Sequence, residues 1–90
     1  MTDQTIYKRS SEVVAATVGE KAFLLHINDW VYLELNESGR RIWELLDEGK
    51  TVPEVVEKLE EEFAVERELC TSDTAELLNT LEEKHFVTRC

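Results

Sequence analysis

The 90-residue sequence predicts an α+β fold in which a three-stranded antiparallel sheet is followed by three helices. Three observations carry this. Two short runs rich in β-branched and aromatic residues, Phe23–Ile27 and Trp30–Leu35, meet at Asn28-Asp29, whose short polar side chains tolerate the positive φ of a tight hairpin turn. A third such run, Val13–Val18, precedes them across Gly19-Glu20-Lys21. Beyond Asn36 the apolar residues recur at helical rather than strand spacing, in three stretches. Strands followed by helices imply three helices packed on one face of a small sheet.

Residues 1–11 read as a polar tail with Ile6 and Tyr7 as its apolar groups, and residues 12–90 as one domain. Helix one begins after Asn36, whose side chain can cap the first turn, with Glu37 placed against the positive end of the helix dipole. Ile42, Leu45 and Leu46 share one face, Trp43 flanks it, and Gly49 offers a stop at positive φ. Helix two has a capping box: Thr51 stands three residues before Glu54, with Pro53 where the missing N–H costs little. Val52, Val55, Val56, Leu59 and Phe63 form its apolar stripe. Helix three is expected from Thr71 or Ser72 to about Lys84, with Leu77, Leu78 and Leu81 inward, after which Phe86 and Val87 close the chain against the core.

Composition excludes several functions. Twenty acidic against ten basic side chains give a formal charge of -10, a field that repels phosphate backbones and anionic membrane surfaces. Two cysteines, Cys70 and Cys90, make neither a disulfide framework nor a zinc site and read as reduced or incidental thiols. The first residues lack the apolar run of a signal peptide, and no stretch is long enough to span a membrane, so a cytoplasmic location is expected.

Catalytic chemistry is thin, and the chain reads as no enzyme. His26 and His85 read as surface or helix-end residues without a cooperating partner, and no zinc, nucleophile-elbow or phosphate-loop motif is present. Glu60, Glu61 and Glu62 point in different directions around a helix and cannot converge on one cation, so neither metal nor cofactor is expected. A winged-helix DNA reader would need a basic recognition helix, whereas Ser72–Lys84 carries Asp73, Glu76, Glu82 and Glu83 against Lys84.

The third strand stands out. Alternation puts Val31, Leu33 and Leu35 on one face and Trp30, Tyr32 and Glu34 on the other, so the outward face also carries aromatic rings. If this strand lies at the sheet edge, its free N–H and C=O groups are a template for an added strand. The bland alternative is that Trp30 and Tyr32 pair across the hairpin as ordinary cross-strand stabilisers.

Tyr32-Leu33-Glu34-Leu35-Asn36, then Gly39-x-x-Ile42-Trp43-x-Leu45-Leu46, then Thr51-Val52-Pro53-Glu54-Val55-Val56, and finally Asp73 ahead of Leu77-Leu78-x-x-Leu81, resemble a PqqD-like protein over roughly Val13 to Val87. The resemblance implies a fold similar to a winged helix-turn-helix that binds, without catalysis, the leader of a ribosomally made precursor peptide. The leader would add antiparallel to the third strand and lie between it and helix three. The implied site is Trp30, Val31, Tyr32, Leu33 and Glu34 on the strand and Asp73, Glu76, Leu77 and Thr80 on the helix. Which helix turn faces the groove stays open, since Leu77, Leu78 and Leu81 cannot all serve both groove and core.

A stand-alone chain with this Asn-x-x-Gly-Arg-Arg-Ile-Trp-Glu-Leu-Leu run looks most like the leader-binding proteins of lasso-peptide biosynthesis, whose partners are a leader peptidase and a cyclase. The alternative is service to another modifying enzyme, such as a radical SAM protein. The proline-glutamate-glycine turn associated with the family's namesakes is replaced here by Asn28-Asp29.

Overall fold

A computed structural model describes residues 5–89 of the chain; Cys90 and the first four residues of the expected tail lie outside the described residues. The element order is β1 (Tyr7–Arg9), β2 (Val13–Val18), β3 (Lys21–His26), β4 (Val31–Leu35), α1 (Glu37–Leu45), a 3-10 turn (Leu46–Glu48), α2 (Val52–Glu62), α3 (Arg67–Glu83) and β5 (Val87–Arg89). Strands β2, β3 and β4 form the expected three-stranded antiparallel sheet, in that order, and the three helices follow it.

Inside the expected polar tail, β1 pairs antiparallel with β5, Tyr7 opposite Arg89 and Arg9 opposite Val87. Tyr7 and Lys50 also exchange backbone hydrogen bonds of 2.8 and 3.0 Å, which tie this small second sheet to the turn after α1. Arg9 adds an ion pair to Asp47, and its guanidinium lies 5.4 Å from the centre of the Trp43 ring.

The helix starts follow local chemistry. Asn36 Oδ1 accepts from the Gly39 N–H at 2.9 Å. At α2 the capping box is complete: the Glu54 N–H donates to Thr51 Oγ1, and the Thr51 N–H donates to Glu54 Oε1. Gly49 takes the positive φ expected of it, at +89°, although the 3-10 turn separates it from α1. Helix α3 begins at Arg67 rather than at Thr71 or Ser72. Its N-cap, Glu66, makes no side-chain capping bond. Burial of Cys70 and an ion pair of 2.6 Å from Arg67 to Glu60 hold the added first turn, outweighing the cap-forming tendency of Thr71 and Ser72.

The core gathers Ala22 and Leu24 of β3, Leu35 of β4, Ile42 and Trp43 of α1, Leu46, then Val55, Val56 and Leu59 of α2, Leu78 and Leu81 of α3, Phe86 and Val87. Each fully buried leucine contributes about 1.5–3 kcal/mol of hydrophobic transfer free energy. His26 also points inward. It is 5% exposed rather than a surface residue, its ring centre 6.2 Å from that of Phe86, and its Nδ1 accepts from the Asp29 N–H at 3.3 Å. This inward placement follows from strand alternation, which sets His26 on the same face as Ala22 and Leu24.

Candidate peptide-docking edge and groove

Strand β4 is an edge of its sheet: β3 lies on one side of it and no described strand on the other. Alternate backbone N–H and C=O groups along the outer side of Val31–Leu35 are therefore free of strand partners, which is the arrangement onto which an extended peptide can add. The register, His26 opposite Val31, Leu24 opposite Leu33 and Ala22 opposite Leu35, sends Val31, Leu33 and Leu35 inward as the alternation requires. Tyr32 is 65% exposed, and Glu34 pairs with Lys21 at 2.9 Å, both on the outer face.

Trp30 does not belong to the strand. The loop is four residues long, 27–30, because the Trp30 N–H donates to the His26 carbonyl at 2.8 Å and pairing resumes only at Val31. The positive φ expected at Asn28-Asp29 falls on Trp30 instead, at 56°, and leaves its side chain 77% exposed at the end of the hairpin. Two contacts fix this longer loop: the Ile27 N–H donates to the Glu12 carbonyl at 2.9 Å, and His26 holds the Asp29 N–H.

On α3 the fully inward stripe is Cys70, Thr74, Leu78 and Leu81. This settles the competition among the leucines. Leu78 and Leu81 belong to the core, whereas Leu77 is half-buried at its margin, as are Val31 and Leu33 from the strand. Thr80 is also half-buried, and Asp73 and Glu76 are exposed. Residues 69, 73, 77 and 80 thus form a line beside the buried stripe at three- and four-residue spacing.

An open pocket of about 840 Å³ lies beside the C-terminal end of β4. Asn36, Glu37 and Ser38 border it where the chain leaves β4, Ile42 and Leu59 form part of its wall, and Phe63, Val65, Leu69, Asp73 and Thr74 enclose it from the α2–α3 side. Of the residues the sequence pointed to, Asp73 alone lines this pocket; Leu33 and Leu77 each pack, half-buried, against the core. Sequence reading missed Val65 and Leu69, which are 42% and 59% exposed. Their signal was available, since both are large apolar residues flanking the acidic start of α3 and neither is needed for the core. It missed Thr74 as well, 1% exposed, whose Oγ1 is buried without a hydrogen-bond partner.

Electrostatics around the groove are acidic and organised in local pairs. Arg41 grips Glu62 with two bonds of 2.7 Å, which hold the Glu62 carboxyl below the usual carboxylate range and raise the guanidinium above its own. Glu60, Glu61 and Glu62 engage Arg67, Lys58 and Arg41 respectively, three different partners for three divergent side chains. Among the described residues no group of three or more His, Cys, Asp or Glu converges as a metal site. No helix among them is long and apolar enough to cross a membrane.

The family profile described as Coenzyme PQQ synthesis protein D (PqqD) matches residues 21–87, a span that contains both the free strand edge and α3. The chain belongs to the PqqD family. Two solved structures resemble it over nearly their whole length. One, described as TbiB1 in complex with the TbiA(beta) leader peptide, is 35% identical, with 89% of this chain and 93% of that one covered at a TM-score of 0.81. The other, described as lasso peptide synthetase B1 complexed with the leader peptide, is 26% identical, with 91% and 96% covered at a TM-score of 0.78. Among curated proteins none matches. Both of these structures are described as complexes with a leader peptide.

Proposed function

We propose that this protein binds, without catalysis, the leader of a ribosomally synthesised precursor peptide and presents it to a leader peptidase and a cyclase during lasso-peptide maturation. The observation that carries this reading is the free edge of β4, which ends at a pocket bounded by α3, in a chain similar to two solved structures described as leader-peptide complexes. The peptide adds antiparallel to β4. Val31, Tyr32, Leu33 and Glu34 supply the backbone and side chains of the strand, and Trp30 flanks its entry from the loop. Leu77 and Thr80 form the floor on α3, with Asp73 and Glu76 above them. Charge supports peptide over nucleic acid: α3 carries Glu68, Asp73, Glu76, Glu82 and Glu83 against Arg67.

The test is titration of a labelled synthetic leader, from the precursor encoded with this chain, into wild type and the Leu33→Glu and Leu77→Glu variants. Burying a leucine against the peptide is worth about 1.5–3 kcal/mol, so each variant is expected to lose at least roughly tenfold in affinity while keeping its far-UV circular dichroism. Wild-type affinity in both folded variants refutes the site.

A further inference from the structure

A second pocket, of about 360 Å³, lies beneath β2, at the opposite edge of the sheet from β4. Arg9, Ser11, Trp43 and Asp47 line it together with Val13 and Ala15. Helix α1 packs chiefly against β3 and β4 and leaves the inner face of β2 uncovered. Ala15 stands opposite Leu24 on that face, yet Ala15 is exposed where Leu24 is fully buried. Trp43 supplies a group that the fold does not explain. It is 4% exposed, and its indole Nε1–H is buried with no acceptor among the described residues. Buried donors in folded proteins are nearly always paired, so an unpaired one in a pocket wall points to a ligand that brings the acceptor.

The rest of this pocket is also rich in donors. The Arg9 guanidinium lies 5.4 Å from the centre of the Trp43 ring and bonds Asp47 through Nη2, which leaves its Nε and Nη1 without an acceptor among the described residues. Ser10 Oγ accepts from the Glu12 N–H at 3.2 Å, so its own hydrogen is free to donate, and Ser11 adds a second hydroxyl. The one carboxylate in the lining is that of Asp47, whose side chain is 68% exposed. An ion pair so open to solvent is weak and yields to a better-placed acceptor. Glu12 does not line the pocket; its carboxylate lies 3.9 Å from His26 Nε2. A surplus of N–H and O–H donors around a guanidinium selects a carboxylate.

The place of the pocket says what carries that carboxylate. Strand β2 ends the sheet, with β3 on one side of it and no described strand on the other, so alternate backbone groups along Val13–Val18 are free of strand partners. A strand added there sets its inward side chains beside Val13 and Ala15, at the mouth of the pocket. We propose that β2 is a second strand-addition edge, and that an extended segment of a partner polypeptide bound on it places an aspartate or glutamate side chain between Arg9 and Trp43. Strand β3 separates this edge from β4, so the site is distinct from the leader-binding edge and stands independently of that reading.

The experiment follows the indole and backbone N–H signals of the ¹⁵N-labelled full chain by NMR, with Trp30→Phe distinguishing the two indoles. Three probes are titrated: acetate, a short alternating threonine–valine peptide with a central glutamate, and the same peptide with glutamine there. The glutamate peptide is expected to move the Trp43 indole signal and the Val13–Val18 amides together, and the glutamine peptide to bind at least about tenfold more weakly. Acetate should move the Trp43 indole alone, at much higher concentration. Arg9→Gln should lose at least about tenfold in affinity for the glutamate peptide, whereas Asp47→Asn, which frees the guanidinium, should gain several-fold. That gain separates a ligand site from a merely structural ion pair. Four results overturn the proposal: no carboxylate probe moves the Trp43 indole, the two peptides bind alike, acetate binds while the glutamate peptide does not, or the peptide moves the Val31–Leu35 amides and leaves Val13–Val18 unchanged.

Discussion

Replacing Thr74 by valine should make this protein more stable. Thr74 lies one turn from Cys70 and one from Leu78 on the buried stripe of α3; it is 1% exposed, and its Oγ1 has no hydrogen-bond partner. A hydroxyl taken from water without a compensating bond costs about 1–3 kcal/mol in proteins. Valine keeps the branched shape and nearly the same helix propensity, so the swap removes the penalty with little else changed. Because Thr74 borders the open pocket, the lower end applies, about 1 kcal/mol. For a domain of this size that corresponds to roughly 4–8 °C in Tm. Urea unfolding followed by circular dichroism reads it as a higher midpoint at unchanged slope. Thr74→Ser serves as the control: it keeps the hydroxyl, loses the methyl, and should be less stable than wild type by about 1 kcal/mol. A Thr74→Val protein equal to or less stable than wild type refutes the reasoning, since Oγ1 would then be making a bond that the geometry does not show.

Two further outcomes follow from the helix ends and the ion pairs. Thr51→Ala removes one half of the capping box and leaves the Glu54 N–H without its acceptor, so urea unfolding should show a loss of about 1 kcal/mol, while Thr51→Ser should be nearly neutral. Glu62 has a lowered folded-state pKa, so its pairing with Arg41 contributes above the ordinary carboxylate range and is lost as pH falls through the folded value. Glu62→Gln should therefore cost roughly 0.5–1 kcal/mol near neutral pH, typical of a half-exposed pair, and the difference from wild type should vanish in strong acid; a constant difference across that range would point to packing instead.

The parts of the fold that were legible in the sequence are those encoded by neighbours. Asn36 and Thr51 announce their helices because a cap is a contact over three residues, and the alternation of Val31, Leu33 and Leu35 announces an inward face. The pairing of β1 with β5 joins residues some eighty positions apart, and no local pattern in Tyr7–Arg9 encodes it. Thr71 and Ser72 carry strong capping chemistry and point to a later start for α3, which the burial of Cys70 and the Arg67–Glu60 ion pair, both tertiary, override. Asn28-Asp29 looks like a two-residue turn, which would put Trp30 in the strand. The hydrogen bond from Ile27 to Glu12 comes from a different strand connection, and that contact helps to fix the longer loop. Of the candidate site, the strand edge could be read directly. The helix face could not, because adjacent leucines 77 and 78 differ only in which way the helix turns them, and that is decided by packing.

The register that sets Tyr7 opposite Arg89 brings the two ends of the described chain to neighbouring positions, about 5 Å apart at Cα. A fold that closes on itself in this way is portable. It can be spliced into a surface loop of a larger protein with both junctions leaving from one spot, so the host chain need span almost no distance. The same geometry governs engineering: a fluorescent protein joined directly at Tyr7 and one joined directly at Arg89 would leave from the same side of the β1–β5 ribbon.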